Sequence, residues 1–266
     1  MQKSPLKLIR CLILLLGAII LQSCAQVLNL PVVHSIPMLS NKGEVVCSGN
    51  IGVTSFNFDG AYALTNHFYL GANYDEQNYP NLKMGELNGG YYNSKFPDNT
   101  WFACQAGADY GSNNGANSYS IYDQKQYWTC RFNTKIASVF VQPAIATVGK
   151  IGEVGFGIRC EYMSFPGFYY SETGPNSSII NGWNNQFFVE PLVYCAIGYK
   201  YVKFKVQLSF GGPVTNSNNN YMAMYPFQPY YGGNISIGLQ IRLFNKSYKD
   251  DANKKPKEKV IYKFQF

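Results

Sequence analysis

Between residues 44 and 244 the chain places apolar side chains at alternate positions through segments of about 8–13 residues. A period of two turns successive side chains to opposite faces of a strand. The clearest segment covers residues 153–165. Val154, Phe156, Ile158, Cys160 and Tyr162 share one face, and Glu153, Gly155, Gly157, Arg159 and Glu161 the other. Over 201–210, Val202, Phe204, Val206, Leu208 and Phe210 oppose Lys203, Lys205, Gln207 and Ser209. Over 234–243, Ile235, Ile237, Leu239, Ile241 and Leu243 oppose Asn234, Ser236, Gly238, Gln240 and Arg242. Residues 187–197 alternate with weaker contrast, and segments 54–64, 67–77, 84–93, 100–110 and 136–147 fit the same pattern. No convincing helical period occurs beyond the first 25 residues. The chain reads as all-β.

The breaks between segments sort by length. Short ones fall at 65–66, 94–99, 148–151 and 198–200, longer ones at 78–83, 111–135, 166–184 and 212–230. With a first strand pair at 44–51 and 54–64, short and long breaks alternate strictly. Membrane barrels alternate short periplasmic turns with longer external loops. The spacing therefore predicts a closed, antiparallel, up-and-down membrane β-barrel of about ten strands, within a range of 8–12. It returns both ends of residues 44–244 to the periplasmic side. Residues 127–133 could form an extra strand, and the parity requires them to be a loop extension.

Composition agrees. Only 14% of residues are charged and 16% are aromatic, with 22 Tyr; a water-soluble domain carries about a quarter charged residues. A large soluble β-sandwich would tolerate the same composition, so the parity of the breaks separates the two. The formal charge of +7 lies partly in Lys3, Lys7 and Arg10 and partly in the tail 246–259. The basic stripe with interleaved aromatics that nucleic acid requires is absent, and no nucleic-acid partner is expected.

Residues 1–24 read as an export signal, with three early cations and an apolar run over 11–21. That run is shorter than the roughly 20 residues of a spanning helix. Leu21-Gln22-Ser23-Cys24 resembles the lipobox of bacterial lipoproteins, which implies lipidation at Cys24. The alternative is ordinary cleavage after Ser23-Cys24-Ala25. The acidic cluster resembling a surface-export tag is missing after Cys24, which would leave an anchor in the periplasmic leaflet. Residues 25–43 hold two Pro and no period and read as a periplasmic tether. Residues 44–244 form the barrel, and 245–266 read as a Lys-rich periplasmic tail. Phe244 is then the terminal aromatic of the last strand.

The stretch Gly60-Ala61-Tyr62-Ala63-Leu64-Thr65-Asn66-His67, followed by the alternating 68–74, resembles the first hairpin of small outer-membrane barrels of the Bacteroidetes type. Val139-Phe140-Val141-Gln142-Pro143, leading to Gly155-Phe156-Gly157-Ile158-Arg159, is similar to that group as well. The resemblance covers most of 44–244 and its motifs are structural. It implies a barrel in the outer membrane of a Gram-negative bacterium, with outer-membrane lipid and the outer-membrane assembly machinery as partners. It implies no activity.

Candidate chemistry is sparse. The inward faces carry Asp59, Glu86, Asp109, Glu153, Arg159, Glu161, Glu190, Lys203, Lys205 and Arg242. Small barrels are filled by their own side chains and buried charges must pair. A salt-bridged polar network filling the barrel is the expectation, against a selective pore or ligand pocket. Glu153 and Glu161 lie about 27 Å apart along one strand, too far for the carboxylate pair of a glycosidase. His34 falls in the tether and His67 beside a periplasmic turn, so neither supports a nucleophile. Cys47, Cys104, Cys160 and Cys195 fall on the apolar face, too scattered to ligate metal. No metal and no cofactor are expected. Aromatic clusters at 165–170 and 225–231 read as an interfacial belt, with a carbohydrate-stacking platform as the sharper alternative. The Asn-rich residues 111–122 read as a solvated loop able to bind a surface ligand.

The expected function is therefore a non-enzymatic outer-membrane barrel, in a structural or surface-adhesion role. Small-molecule binding or passive transport through the barrel is one alternative. A soluble periplasmic ligand-binding β lipoprotein is the other.

Overall fold

Alternating segments form strands, and the strands close on themselves. The computed structural model describes residues 26–27, 34, 36–52, 55–78, 81–94, 99–121, 126–149, 151–173, 178–181, 185–199, 201–214, 227–228 and 232–244. The expected export signal, residues 1–24 with Cys24, and the expected tail 245–266 lie outside them. Ten strands make the barrel: β1 (Val45–Gly52), β2 (Ser55–Ala63), β3 (Phe68–Asn78), β4 (Asn81–Asn93), β5 (Thr100–Ile121), β6 (Gln126–Val148), β7 (Gly152–Ser164), β8 (Gln186–Gly198), β9 (Val202–Pro213) and β10 (Gly232–Leu243). Each pairs antiparallel with its successor in sequence, and β10 pairs antiparallel with β1 from Ser236↔Gly52 to Leu243↔Val45. The closure leaves no free edge around the cylinder itself. This is an up-and-down barrel of ten strands, all-β as expected.

The two ends of the cylinder differ. Connections at residues 64–67, 94–99, 149–151 and 199–201 close the end where β1 begins and β10 stops, here called the near end. At the far end, residues 165–185 and 214–231 form the two longest connections. Phe244 follows β10 in a left-handed backbone conformation, φ 61°, and marks where the last strand stops.

Most of the predicted long break at 111–135 is strand instead. Residues 111–121 and 126–135 continue β5 and β6 as one ladder, paired without interruption from Thr100↔Thr147 to Ile121↔Gln126. Residues 127–133 are thus the start of β6 and not an additional strand. The hairpin Tyr169–Thr173 and Ser178–Asn181 pairs onto this extension through Phe132↔Tyr170 and its neighbours. On the β5 side the ladder runs about 23 Å past its pairing with β4, at 3.3–3.4 Å per residue. Asn, Gly and Ser are poor strand formers, which is why 111–122 reads as loop; the continuous pairing overrides that preference. Residues 78–83 shrink to a tight connection between Asn78 and Asn81, themselves a register pair.

The sides of the strands sort as the alternation predicts. In β7, Glu153, Arg159 and Glu161 are buried while Val154, Phe156 and Tyr162 are exposed. Outward aromatics form two rings. Tyr62, Phe68, Tyr91, Phe102 and Phe204 lie toward the near end, and Phe56, Tyr74, Tyr110 and Tyr162 toward the far end. Leu70, Leu87, Val141, Val193, Ile237 and Leu239 fill the band between them. Among the described residues, no Asp, Glu, Lys or Arg points outward within that band. Cys47, Cys104, Cys160 and Cys195 are free, half-buried thiols on the outward face. Phe165 and Phe168 depart from the expected belt. Both are buried rather than facing out.

Three inward aromatics lie flat on glycines directly opposite them in the neighbouring strand. The pairs are Tyr69 on Gly90, Phe140 on Gly107 and Tyr194 on Gly155. A Cβ at Gly90 would come within 2.7 Å of the Tyr69 ring, and one at Gly107 within 2.8 Å of the Phe140 ring. Glycine lets a large ring lie along the wall, which covers exposed backbone and leaves the centre of the lumen free. We expect Gly155→Val to drive Tyr194 off its seat and destabilise the barrel by about 1–3 kcal/mol, the usual range for overpacking. Gly85 faces outward with open space at its Cβ, so Gly85→Val should leave the urea midpoint of the refolded protein nearly unchanged. Equal midpoints for the two variants would mean that the ring is not seated on Gly155.

Candidate functional site

The space left along the axis is filled by the chain itself. Residues 34 and 36–43 do not form an external tether; they run inside the barrel from its near end. Ile36, Met38 and Leu39 are buried against Tyr69, Tyr92, Trp101, Ala103, Leu192 and Tyr194 of the wall. The Trp101 indole donates to the Leu39 carbonyl at 2.9 Å, and Lys42 N–H donates to Asn66 Oδ1 at 2.9 Å. Gly43, at φ 81°, lets the segment turn into β1. Further back along the chain, Gln26–Val27 pairs in parallel with Phe227–Gln228 of the β9–β10 connection, which leaves the far end of β9. An apolar segment folded into the lumen removes its side chains from water, a gain of about 1.5–3 kcal/mol per large residue.

The structure places all ten predicted lumen residues inside: Asp59, Glu86, Asp109, Glu153, Arg159, Glu161, Glu190, Lys203, Lys205 and Arg242 are buried. They form three groups. Toward the near end, Glu153 accepts from Lys203 Nζ at 2.7 Å, Arg242 Nη2 at 3.0 Å and Gln240 Nε2 at 3.1 Å. Glu44 reaches the same arginine, 3.7 Å from Nη1, and also accepts from the Ser40 N–H at 2.6 Å, which ties the plug to this group. A second group lies on β1, β2 and β9. Ser48 donates to Asp59, Asn50 donates to Asn57 Oδ1 at 3.0 Å, and Lys205 Nζ sits 3.4 Å from Ser48 Oγ.

The third group sits at mid-height and is centred on Arg159, which is fully buried. Its Nη1 donates to Glu86 Oε2 at 2.8 Å, its Nε to Glu161 Oε2 at 3.2 Å, and its Nη2 to Asp109. The guanidinium lies 3.3 Å above the Phe140 ring, which itself rests on Gly107. Ser138 adds a 2.7 Å hydrogen bond to Asp109 Oδ2. Arginine suits this position because its planar fork offers five donors to several carboxylates at once.

His34 completes the group from the plug, and its placement corrects the sequence reading of a tether residue. Its Nε2 lies 2.6 Å from Glu190 Oε2, and its Nδ1 3.8 Å from Glu86 Oε2. The backbone carbonyl of His34 accepts from the Gln207 side-chain amide. The ring is 1% exposed. Sequence reasoning passed over it because the tether carried no period. The available signal was the apolarity of Ile36, Met38 and Leu39, which a water-exposed tether does not need. His67, in contrast, is exposed at a near-end turn and stacks on Tyr91, with ring centroids 5.7 Å apart.

Among the described residues, the carboxylates of the three groups are buried inside the barrel, between its wall and the plug. Glu161 lies near Glu86, Asp109 and Glu190, a proximity created by the closing of four different strands. Shallow apolar depressions occur on the outer wall, lined by Cys47, Ile51, Phe56, Phe58, Ile237 and Ile241; they carry no convergent polar groups. No protein-family model matches the chain, and comparison with curated proteins finds no match.

Proposed function

We propose that the chain is an outer-membrane β-barrel of a Gram-negative bacterium that serves a non-enzymatic, structural or surface-adhesive role, with Cys24 as its lipid attachment. The observation that carries this reading is a division of the cylinder: an uncharged outside between two aromatic rings, and an inside filled by plug and ion pairs. The outside suits lipid, since aromatic rings bounding an apolar band are the mark of a membrane barrel. Strands of 8–13 residues outside the β5–β6 extension suit a tilted crossing, which takes about 9–11. A water-soluble carrier would expose polar groups where this chain exposes Leu87, Ile237 and Leu239. A lumen filled by plug and ion pairs favours neither conduction nor ligand transport. What remains for contact with partners is the far end, where β5, β6 and the 169–181 hairpin form a protruding sheet able to meet a surface ligand or carbohydrate.

Planar-bilayer recording tests the sealed state directly. The intact protein should give no stable channel steps, and deletion of residues 34–42 should give them. Eight strands are already filled by their own side chains, and ten enclose a wider lumen whose excess space the plug occupies here. Stable steps from the intact protein would overturn the closed reading. Membrane residence is checked by fractionation. Recovery of the protein in a soluble periplasmic fraction, with the anchor removed, would overturn the outer-membrane assignment.

A further inference from the structure

We propose that His34, Glu161 and Glu190 form a binding site for one divalent transition-metal ion of the Zn²⁺ class, which fastens the plug to the wall. One ring nitrogen of His34 and one carboxylate oxygen from each glutamate lie within 4.8 Å of one another, and all three residues are buried. An imidazole with two carboxylates is an N/O ligand set suited to Zn²⁺ and its neighbours. Tetrahedral bonds of about 2.0–2.2 Å place ligand atoms roughly 3.3–3.6 Å apart, so the 2.6 Å contact between His34 Nε2 and Glu190 opens by roughly 0.7–1 Å, within reach of side-chain rotation. The ion takes the place of the proton shared by those two groups, and that proton leaves to solvent.

Independent observations point to a missing cation. Glu161 Oε1 is buried and accepts no hydrogen bond, and neither does Asp109 Oδ1. Three carboxylates, Glu86, Asp109 and Glu161, contact the one guanidinium, and a fourth, Glu190, contacts His34. Arg159 and a protonated His34 together offset two of these four charges, which leaves a surplus of negative charge in a setting where unpaired charge is expensive. The surroundings also resemble an outer shell. His34 Nδ1 has no hydrogen-bond partner and faces Glu86 Oε2 at 3.8 Å, and a carboxylate behind the second ring nitrogen is the usual support for a metal-bound histidine. Arg159 Nε holds Glu161 through its other oxygen. The site exists only when the plug is seated, and it does not depend on where the barrel resides.

The test uses untagged full-length protein refolded in detergent with and without Co²⁺, a coloured substitute for Zn²⁺. We expect one Co²⁺ per chain with visible absorption bands of a nitrogen-containing site, displaced by Zn²⁺. His34→Ala and Glu190→Gln should each weaken binding by more than about tenfold, at least the loss seen when merely an outer-shell partner is removed. His67→Ala should bind as the unaltered protein does. Compact migration before boiling checks that each variant is folded. Unaltered protein that shows no saturable one-to-one binding overturns the proposal, whatever the variants do. So does a folded His34→Ala that binds equally well.

Discussion

Arginine in place of Ile237 or Val141 should lower the unfolding free energy of the vesicle-reconstituted protein by about 2–4 kcal/mol each, the range for a cation on the lipid face near the midplane. Ile237, in β10, is 51% exposed, and Val141, in β6, is 49% exposed. Both lie between the two aromatic rings, on different sides of the barrel. The comparison position is Ile151, 65% exposed in a near-end turn, where Arg should cost no more than about 1 kcal/mol. The contrast separates two environments that the fold alone does not distinguish. On a water-exposed wall all three changes would remain within about 0.5 kcal/mol, because arginine is well hydrated there. Urea titration from phosphocholine vesicles measures the difference. Three equal, small values would remove lipid from the description of this surface.

How far the sequence speaks depends on how local the cause is. The alternation at Val154 to Tyr162 and at Val202 to Phe210 is legible because a strand's side chains take their sides from the backbone alone. Strand number follows from the parity of the breaks. The β5–β6 extension is not legible. Gly111, Asn113 and Asn114 disfavour strand locally, and only the partner residues across the ladder hold them there. The plug is illegible for a related reason. Ile36, Pro37, Met38 and Leu39 follow no period because they make no ladder, and their burial depends on a lumen built from residues up to 200 positions away.

The mid-height cluster was visible in part. Asp109, Arg159, Glu161 and Glu190 each fall on the inward side of their strands, and that much is read directly from period two. Which of them meet depends on stagger between strands, and stagger is not written in any one strand. Glu190 lies opposite Arg159 and Glu86 opposite Asp109; only the closed ladder brings these pairs to one height. The excess of acid on the inward faces was a usable signal that further positive charge had to come from elsewhere. His34 is where it comes from.

Removing Arg159 should therefore be the most damaging single change. Arg159→Met keeps most of the volume and the contact with Phe140 but leaves Glu86, Asp109 and Glu161 without their shared donor. Breaking one buried pair by deleting a partner costs about 3–5 kcal/mol, and here three carboxylates lose one partner together. Arg159→Lys should restore little, since one ammonium group does not reproduce a planar fork aimed at three acceptors. The informative comparison is the triple variant Arg159→Met, Glu86→Gln, Asp109→Asn, in which two of the orphaned charges are removed. It should regain much of the loss, because an uncharged, hydrogen-bonded group is far cheaper to bury than an unpaired carboxylate. Urea midpoints of the refolded barrels give the values, with the temperature at which compact migration is lost as a second measure. If Arg159→Met unfolds within about 0.5 kcal/mol of the unaltered protein, water reaches the cluster and the lumen is open. If Arg159→Met is destabilised and the triple variant regains nothing, the arginine acts through its packing on Phe140 and Gly107, and not through charge.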